Sequence, residues 1–512
     1  MEINYLSENI KLYDLSKGLK KTVFMESEHV VSDSRADVAA VLKANAHVTE
    51  DEVILDNGLL KLKGKMNIIV CLKSVNGNLF NVQQIMDINE KLDTYENGRD
   101  VLPLSRCVIE KVDCRIINER KIGVRVQYDV YVDCNVEKSL DMVSGLESNE
   151  NAEVKVKDMA VKKFAGNVQK NIEVSDTYLI PNDYPEVFEL LYYEAVLRNV
   201  DNSMNDNGSM VFKGDVCFRL YYSCGERGEN VNYIENNVSF SEAQDIHDMK
   251  IDKMFCNVKV ANFTMDASQD SDGEYRLVNS NAMVHVTAFC FEDATVQTVE
   301  DLYGINKRLR PVSGREAFTY PVNVSKSTCQ VSDTMNVGVD QQIAEVIGMD
   351  VFAYVTEQVY NNNGVLGVKG IIPVSMLYKD ANGEVNAFHH QIPFQYDEKI
   401  NINPDQTAKV WVDQTTAGYN LLSGNEPDVR VNVNLSFRVY GTDTLTYIED
   451  IQESEYGSDT TRASLVLHYC SANDTIWNLS KKYRIRQAVL REINDLDEAD
   501  LLQDGQQVII PM

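Results

Sequence analysis

The chain has 512 residues, 44% of them hydrophobic, and a formal net charge of −29 from 78 acidic and 49 basic side chains. That length exceeds what one hydrophobic core serves, so roughly three or four domains are expected. The acidic balance argues against a nucleic-acid backbone or an anionic membrane as principal partner, and no stretch approaches the ~18 uninterrupted apolar residues of a spanning helix.

Taken from the N-terminus, MEINYLSENIKLYDLSKGLKK alternates polar and apolar residues without the apolar core of a signal peptide, so the expected location is the cytosol. Residues 1–20 read either as a strand completing the first domain or as a separate binding peptide. KTVFMESEHVVSDSRADVAAVL (21–42) then aligns without gaps with KNIEVSDTYLIPNDYPEVFELL (170–191), and VSDT of 174–177 recurs within CQVSDTMNV (329–337). A second anchor follows in LLKLKGKMNIIVCL (59–72), MVFKGDVCFRLYY (210–222) and VLGVKGIIPVSMLY (365–378). These put Gly64, Gly214 and Gly370 in register, at steps of 150 (214 − 64) and 156 (370 − 214) residues, the size of a domain. A glycine inside such a strand marks a bulge or the close approach of another backbone.

A long strand closes each repeat. In KIGVRVQYDVYVD, Ile122, Val124, Val126, Tyr128, Val130 and Val132 alternate with polar residues; in DVRVNVNLSFRVYG, Val429, Val431, Val433, Leu435, Phe437 and Val439 do the same. Six matches in a row to period 2 indicate half-buried antiparallel strands. The second copy, AMVHVTAFCF (282–291), has the same β character with less polarity. Each repeat therefore reads as a short helix or turn (Ala36–Leu42, Pro185–Leu191), paired strands around Lys-Gly, and the closing strand.

The expected fold class is mainly β: three tandem antiparallel β-rich domains at 1–150, 151–310 and 311–452, a polar linker ESEYGSDTTRA (453–463), and a small βααβ domain at 464–512. No catalytic constellation emerges, so an enzyme is not expected, although a hydrolase assembled from distant His and carboxylate residues is an alternative. GVLGVKG (364–370) runs into a strand rather than a helix and does not suit a phosphate loop. His389 and His390 are adjacent on a strand and point to opposite faces, one to the surface and one to the core, so they do not share a metal. Ten cysteines, none in a CxxC pair, read as reduced core residues, and no cofactor or metal is implied. Acidic runs such as Glu147, Glu150 and Glu153 read as solvated loop.

The last fifty or so residues differ in kind. Strands at Leu465–Tyr469 and Gln507–Ile510 flank two helices. Asn473 or Asp474 caps the first, whose Ile476, Leu479 and Tyr483 form one buried face. Trp477, about 100° off Ile476, should sit partly exposed at the rim. The second helix, about Arg486–Ile493, buries Val489, Leu490 and Ile493 and ends at a left-handed Asn494. Lys481, Lys482, Arg484 and Arg486 cluster ahead of Asp495, Asp497, Glu498, Asp500 and Asp504. These charges read either as helix-end complements and solvated loop or as a docking face around Trp477.

DTIWNLSKKY, LREIN and LLQDGQQVIIP resemble, in order and spacing, the signature of the LysM family, with Asn473 where that family usually has glycine. The repeat anchors resemble SPOCS domains, and three such repeats before one LysM resemble the SipL-like family of spore-coat morphogenetic proteins. That resemblance implies a non-enzymatic scaffold in the mother-cell cytosol at the forespore surface. Its LysM would bind the coat-basement ATPase SpoIVA, and other coat proteins are candidate partners. The alternative is a peptidoglycan or N-acetylglucosamine ligand. For either, the implied contact residues are Asn473, Asp474, Thr475, Trp477, Lys481, Lys482, Arg484 and Asn494.

Overall fold

A computed structural model describes the chain except residues 1–3, 16–17, 95–99, 148–150, 206, 247–248, 339–341, 361–363, 401, 404, 424, 457–463, 498–500 and 512. It is a mainly antiparallel β protein with two short helices at its C-terminal end.

Three units repeat one arrangement of strands. The first comprises β1 (Tyr5–Leu15), β2 (Leu19–Val30), β3 (Val38–Asp56), β4 (Leu59–Ser74), β5 (Leu79–Asp93), β6 (Asp100–Asn118) and β7 (Lys121–Leu146). The second comprises β8 (Ala152–Leu179), β9 (Glu189–Met204), β10 (Ser209–Cys224), β11 (Asn230–Asp245), β12 (Lys253–Gln269) and β13 (Tyr275–Gly304). The third comprises β14 (Lys307–Thr334), β15 (Ile343–Val351), β16 (Tyr354–Tyr360), β17 (Val365–Asp380), β18 (Val385–Lys399), β19 (Gln406–Ser423) and β20 (Glu426–Glu455). In each unit the last strand is the centre of one sheet, flanked by the first and the penultimate: β8–β13–β12, β14–β20–β19, and β1 and β2 with β6 around β7. The Lys-Gly strand is the centre of the other: β3–β4–β5, β9–β10–β11, and β15 and β16 with β18 around β17. β1 pairs with β7 from Tyr5↔Leu146 to Leu15↔Asn135, so these N-terminal residues complete the first unit. β14 and β20 run through positions 310–311 and 452.

Period 2 determines the inner face of each sandwich. All twelve apolar residues singled out in β7 and β20 are buried, and each row packs on the facing sheet of its own unit. The register glycines face an irregularity in the neighbouring strand. Gly64 lies opposite a bulge at Glu50–Glu52, Gly370 opposite one at Val355–Glu357, and Gly214 sits within a shift between Lys213 and Asp215. A Cβ on Gly370 would stand 2.3 Å from both the Tyr354 carbonyl oxygen and the Phe394 ring; one on Gly64 would stand 2.4 Å from the Thr49 carbonyl oxygen. Phe240 and Phe394 are the cross-strand partners of Gly214 and Gly370, and their rings cover the space the glycines leave.

The units share cores with one another. Leu42 and Leu79 from the first, Leu191 and Tyr221 from the second, and Leu377 and Val385 from the third form one cluster. On the other sheets, corresponding strands meet twice: at Ile10, Val161 and Phe318, and at Val143, Val299 and Ile448. Tyr13, Phe164, Phe255, Phe289, Phe291 and Tyr440 form a further aromatic joint. Phe289 and Phe291 lie on the face of β13 opposite its inner row, which explains why the second closing strand is less polar than the others. Charges are keyed into the joint as well: Lys43 pairs with Asp350, Tyr221 donates to Asp350 (2.9 Å), and Arg219 pairs with Glu194 (2.8 Å). Burial raises the Glu194 carboxyl, but Arg219 and then Lys43 outweigh it and hold the group below the usual range, whereas burial lowers Lys43 itself to about 7.

Several local expectations are corrected. Neither Ala36–Leu42 nor Pro185–Leu191 is helical; a turn leads directly into β3 and β9, where Leu42 and Leu191 supply the inter-unit cluster. His389 reaches the Leu42 carbonyl oxygen and His390 the Asp333 carboxylate, and neither belongs to the core. Glu453–Glu455, expected in the linker, end β20, and residues 457–463 lie outside the described residues. All ten cysteines are free thiols; seven are buried and Cys107, Cys114 and Cys256 are half-buried. No helix among the described residues is long and apolar enough to cross a membrane.

Candidate functional site

The C-terminal module consists of β21 (Leu465–Tyr469), α1 (Ile476–Tyr483), α2 (Gln487–Ile493) and β22 (Gln507–Pro511), with β21 and β22 antiparallel. Ile476, Leu479, Leu490, Val508 and Ile510 are its core. Tyr483 packs against that core half-buried, and Val489 does the same. Ile493, expected to be buried, is exposed, because the seven-residue helix α2 turns only Leu490 fully inward.

The cap of α1 falls one residue later than expected, at Thr475, whose Oγ1 accepts from the Asn478 N–H at 3.0 Å. Asp474 instead closes the preceding turn, accepting from the Ser471 N–H (2.9 Å) and pairing with His468 Nε2 (3.1 Å). The Ser471 N–H and then His468 hold its carboxyl below the usual range. Asn473 is exposed and, unlike Asn57 or Asn199, does not adopt positive φ, so the turn does not use that freedom. Among the described residues of the module, the left-handed ones are Arg484 (φ 59°), which ends α1, and Asp495 (φ 48°) and Gly505 (φ 77°). Asn494 itself has φ −110°. Its side chain acts as a fastener: the amide donates to the carbonyl oxygens of Leu490 (2.8 Å) and Ile509 (2.7 Å), and its Oδ1 accepts from the Ile509 N–H (2.6 Å).

His468, Cys470 and Asp474 bring three ligand-type atoms within 4.8 Å of one another. Both ring nitrogens of His468 already have partners, Asp474 and the Tyr483 hydroxyl (3.2 Å), and burial raises the Cys470 thiol away from the thiolate a metal needs. His468 instead links β21 to Asp474 and to Tyr483 of α1 as a hydrogen-bonded clasp.

Trp477 is where expectation and structure part most. It is only 5% exposed, because the end of β13 covers it. Its ring meets Tyr303 edge-on at 5.1 Å, and its Nε1–H donates to Asp301 Oδ2 at 2.8 Å. Lys481 pairs with the other oxygen of Asp301 at 2.5 Å. Burial raises the Asp301 carboxyl, but the hydrogen bonds from Lys481 and Trp477 outweigh it and hold the group below the ordinary carboxylate value. Around this centre Tyr303 donates to the Ile485 carbonyl oxygen (2.8 Å), Gln487 bonds Glu153, and the Arg484 guanidinium lies 3.5 Å from the centre of the Tyr456 ring. Glu153 is thus a docking contact and not solvated loop. The module is fastened to the second unit by the side chains expected to face a partner.

Of the eight candidate contact residues, Trp477, Lys481 and Arg484 are engaged within the chain, and Asp474, Thr475 and Asn494 hold the module's own turns. Asn473 and Lys482 face solvent. On the same side Thr475 bridges Leu501, whose side chain is exposed, and the Leu502 N–H donates to the Asp474 carbonyl oxygen. The first turn and the segment after α2 are therefore joined by backbone pairing, with Asn473 and the Leu501 side chain exposed beside the joint. Of the acidic residues, Asp495, Asp497 and Asp504 are exposed; Glu498 and Asp500 lie outside the described residues. Asp301, Tyr303 and Tyr456 carry no sequence signal, since what buries them comes from 150 or more residues away or from a cation stacking across the joint.

Residues 471–511 match the LysM domain family. A LysM domain supports binding of carbohydrate, peptidoglycan or protein. No curated protein and no solved structure matches the chain.

Proposed function

We propose that the chain is a non-enzymatic spore-coat scaffold whose LysM domain binds a SpoIVA-like coat-basement ATPase, helping to localise coat around the forespore in the mother cell. The SPOCS-like anchors of the three repeats, their order ahead of a single LysM, and the shared cores that join them into one platform support this reading. The observation that carries the protein-binding part is the outer face of the β21–β22 sheet. Leu465, Leu467, Tyr469 and Ile509 share that face and are 59%, 45%, 62% and 38% exposed. An apolar, aromatic-bearing surface of this kind suits a protein partner. Trp477, the aromatic side chain of the first helix expected to face a ligand, is turned inward.

The second reading, a glycan ligand, has one observation in its favour: Asn473 and Leu501 are exposed where the first turn meets the segment after α2. Full-length protein is expected to co-purify with the coat ATPase and to stay in the supernatant when mixed with purified peptidoglycan. Tyr469→Lys should weaken the ATPase complex by about 1–3 kcal/mol. Sedimentation with peptidoglycan without ATPase capture would replace this proposal with the glycan reading.

A further inference from the structure

Away from the LysM, all three units contribute walls to one cavity of about 570 Å³, within the range of small-molecule sites. Its lining holds Arg106 from β6, Arg198 from β9, Lys259 from β12, Lys326 from β14 and Arg438 from β20, against a single carboxylate among the described residues, Asp413. In a chain of net charge −29, such a concentration of cations calls for counter-charges, and two have them: Arg198 pairs with Glu235 (3.3 Å) and Lys259 with Glu50 (2.5 Å).

The other three have no carboxylate within ion-pair distance among the described residues. Arg438 donates to the Cys256 carbonyl oxygen (2.7 Å) and lies 4.4 Å from the Trp411 ring centre. Lys326 reaches only the Val200 carbonyl oxygen (3.3 Å). Arg106 lies over Tyr131, 5.0 Å from the ring centre, and its buried Nε has no hydrogen-bond partner. Burial, which outweighs the more distant Asp133, lowers the pKa of Arg106, as expected of a desolvated cation without a counterion. Three free cations less one exposed carboxylate leave a net charge of +2 (3 − 1) around the cavity. Two guanidinium forks and one ammonium match the oxygens of a multiply charged oxyanion.

We infer that the cavity where the three units meet is a binding site for a small oxyanion carrying at least two negative charges, held by Arg106, Lys326 and Arg438. Phosphate and carboxylate compounds share that chemistry. An anion seated there touches all three units, so occupancy also stabilises their association.

The test is calorimetric titration of the full chain with inorganic pyrophosphate and, separately, citrate at low ionic strength, with thermal unfolding as a second readout. Saturable binding of one anion per chain and a raised unfolding temperature are expected for at least one probe. Tighter binding of pyrophosphate assigns the site to phosphates, and tighter binding of citrate to polycarboxylates. Lys326→Gln and Arg106→Gln should each weaken binding about tenfold, whereas Lys250→Gln, a surface change outside the cavity, should leave it unaltered. Lys326 is exposed, so its variant tests the site even if the Arg106 variant does not fold. Failure of the folded wild-type chain to bind either probe overturns the inference. So does equal weakening by Lys250→Gln, which would make the effect one of general charge.

Discussion

Replacing Trp477 with alanine distinguishes docking from module folding. The indole does not belong to the LysM core formed by Ile476, Leu479, Leu490, Val508 and Ile510; its ring and N–H partners are Tyr303 and Asp301 of the second unit. Truncating a buried tryptophan costs about 3–5 kcal/mol, and the edge-on pair with Tyr303 accounts for about 0.5–1.5 kcal/mol of such a loss. Asp301 keeps Lys481, so its charge is not left alone. Most of the loss should therefore fall on the equilibrium between docked and undocked LysM. Hydrogen exchange with peptide-level readout measures it: amides of 299–304 and 483–487 should lose protection by two to three decades, about the factor that 3–4 kcal/mol implies. Amides of β21 and β22 should keep theirs. Unchanged exchange at 299–304 would refute the docking argument. Complete exchange in β21 and β22 would mean that Trp477 holds the module itself together.

Among the strand glycines, Gly370→Ala and Gly64→Ala should each destabilise by about 1–3 kcal/mol in chemical denaturation, since the new methyl meets backbone. Gly214→Ala should cost less, because the new methyl would meet the Phe240 ring at 3.0 Å and the nearest backbone oxygen, that of Arg198, only at 3.3 Å; equal costs at all three positions would contradict this. His47 meets Phe263 edge-on across the first two units, and burial lowers its pKa to about 4. Between pH 6.5 and 4 the unfolded chain binds a proton that the folded chain refuses, so stability falls on acidification, by at most about 3 kcal/mol. His47→Leu should flatten that part of the stability–pH profile, and an unchanged slope would remove His47 as its source.

How much of this was legible beforehand depends on what each signal reports. Alternation in 122–132 and 429–439 marks residues that leave water on one face of a strand, and the structure buries all of them. The three Lys-Gly anchors identify equivalent central strands, and LREIN contains the asparagine that fastens α2 to β22. Residues 36–42 and 185–191, read as a short helix or turn, lead into strands instead because Leu42 and Leu191 serve a contact between units, which local period cannot encode.

The sequence by itself determined the strands, their threefold repetition and the LysM, because pleat, helix and turn periods are local properties of the chain. Tertiary structure alone decided what covers each buried face. Phe289 and Phe291 became an aromatic joint between units, Arg106, Lys326 and Arg438 came to surround one cavity, and Trp477 was closed off by Asp301 and Tyr303. Local periodicity can say that a side chain leaves water; the partner that takes it in, 176 residues away in the case of Trp477 and Asp301, is set only when the chain folds back on itself.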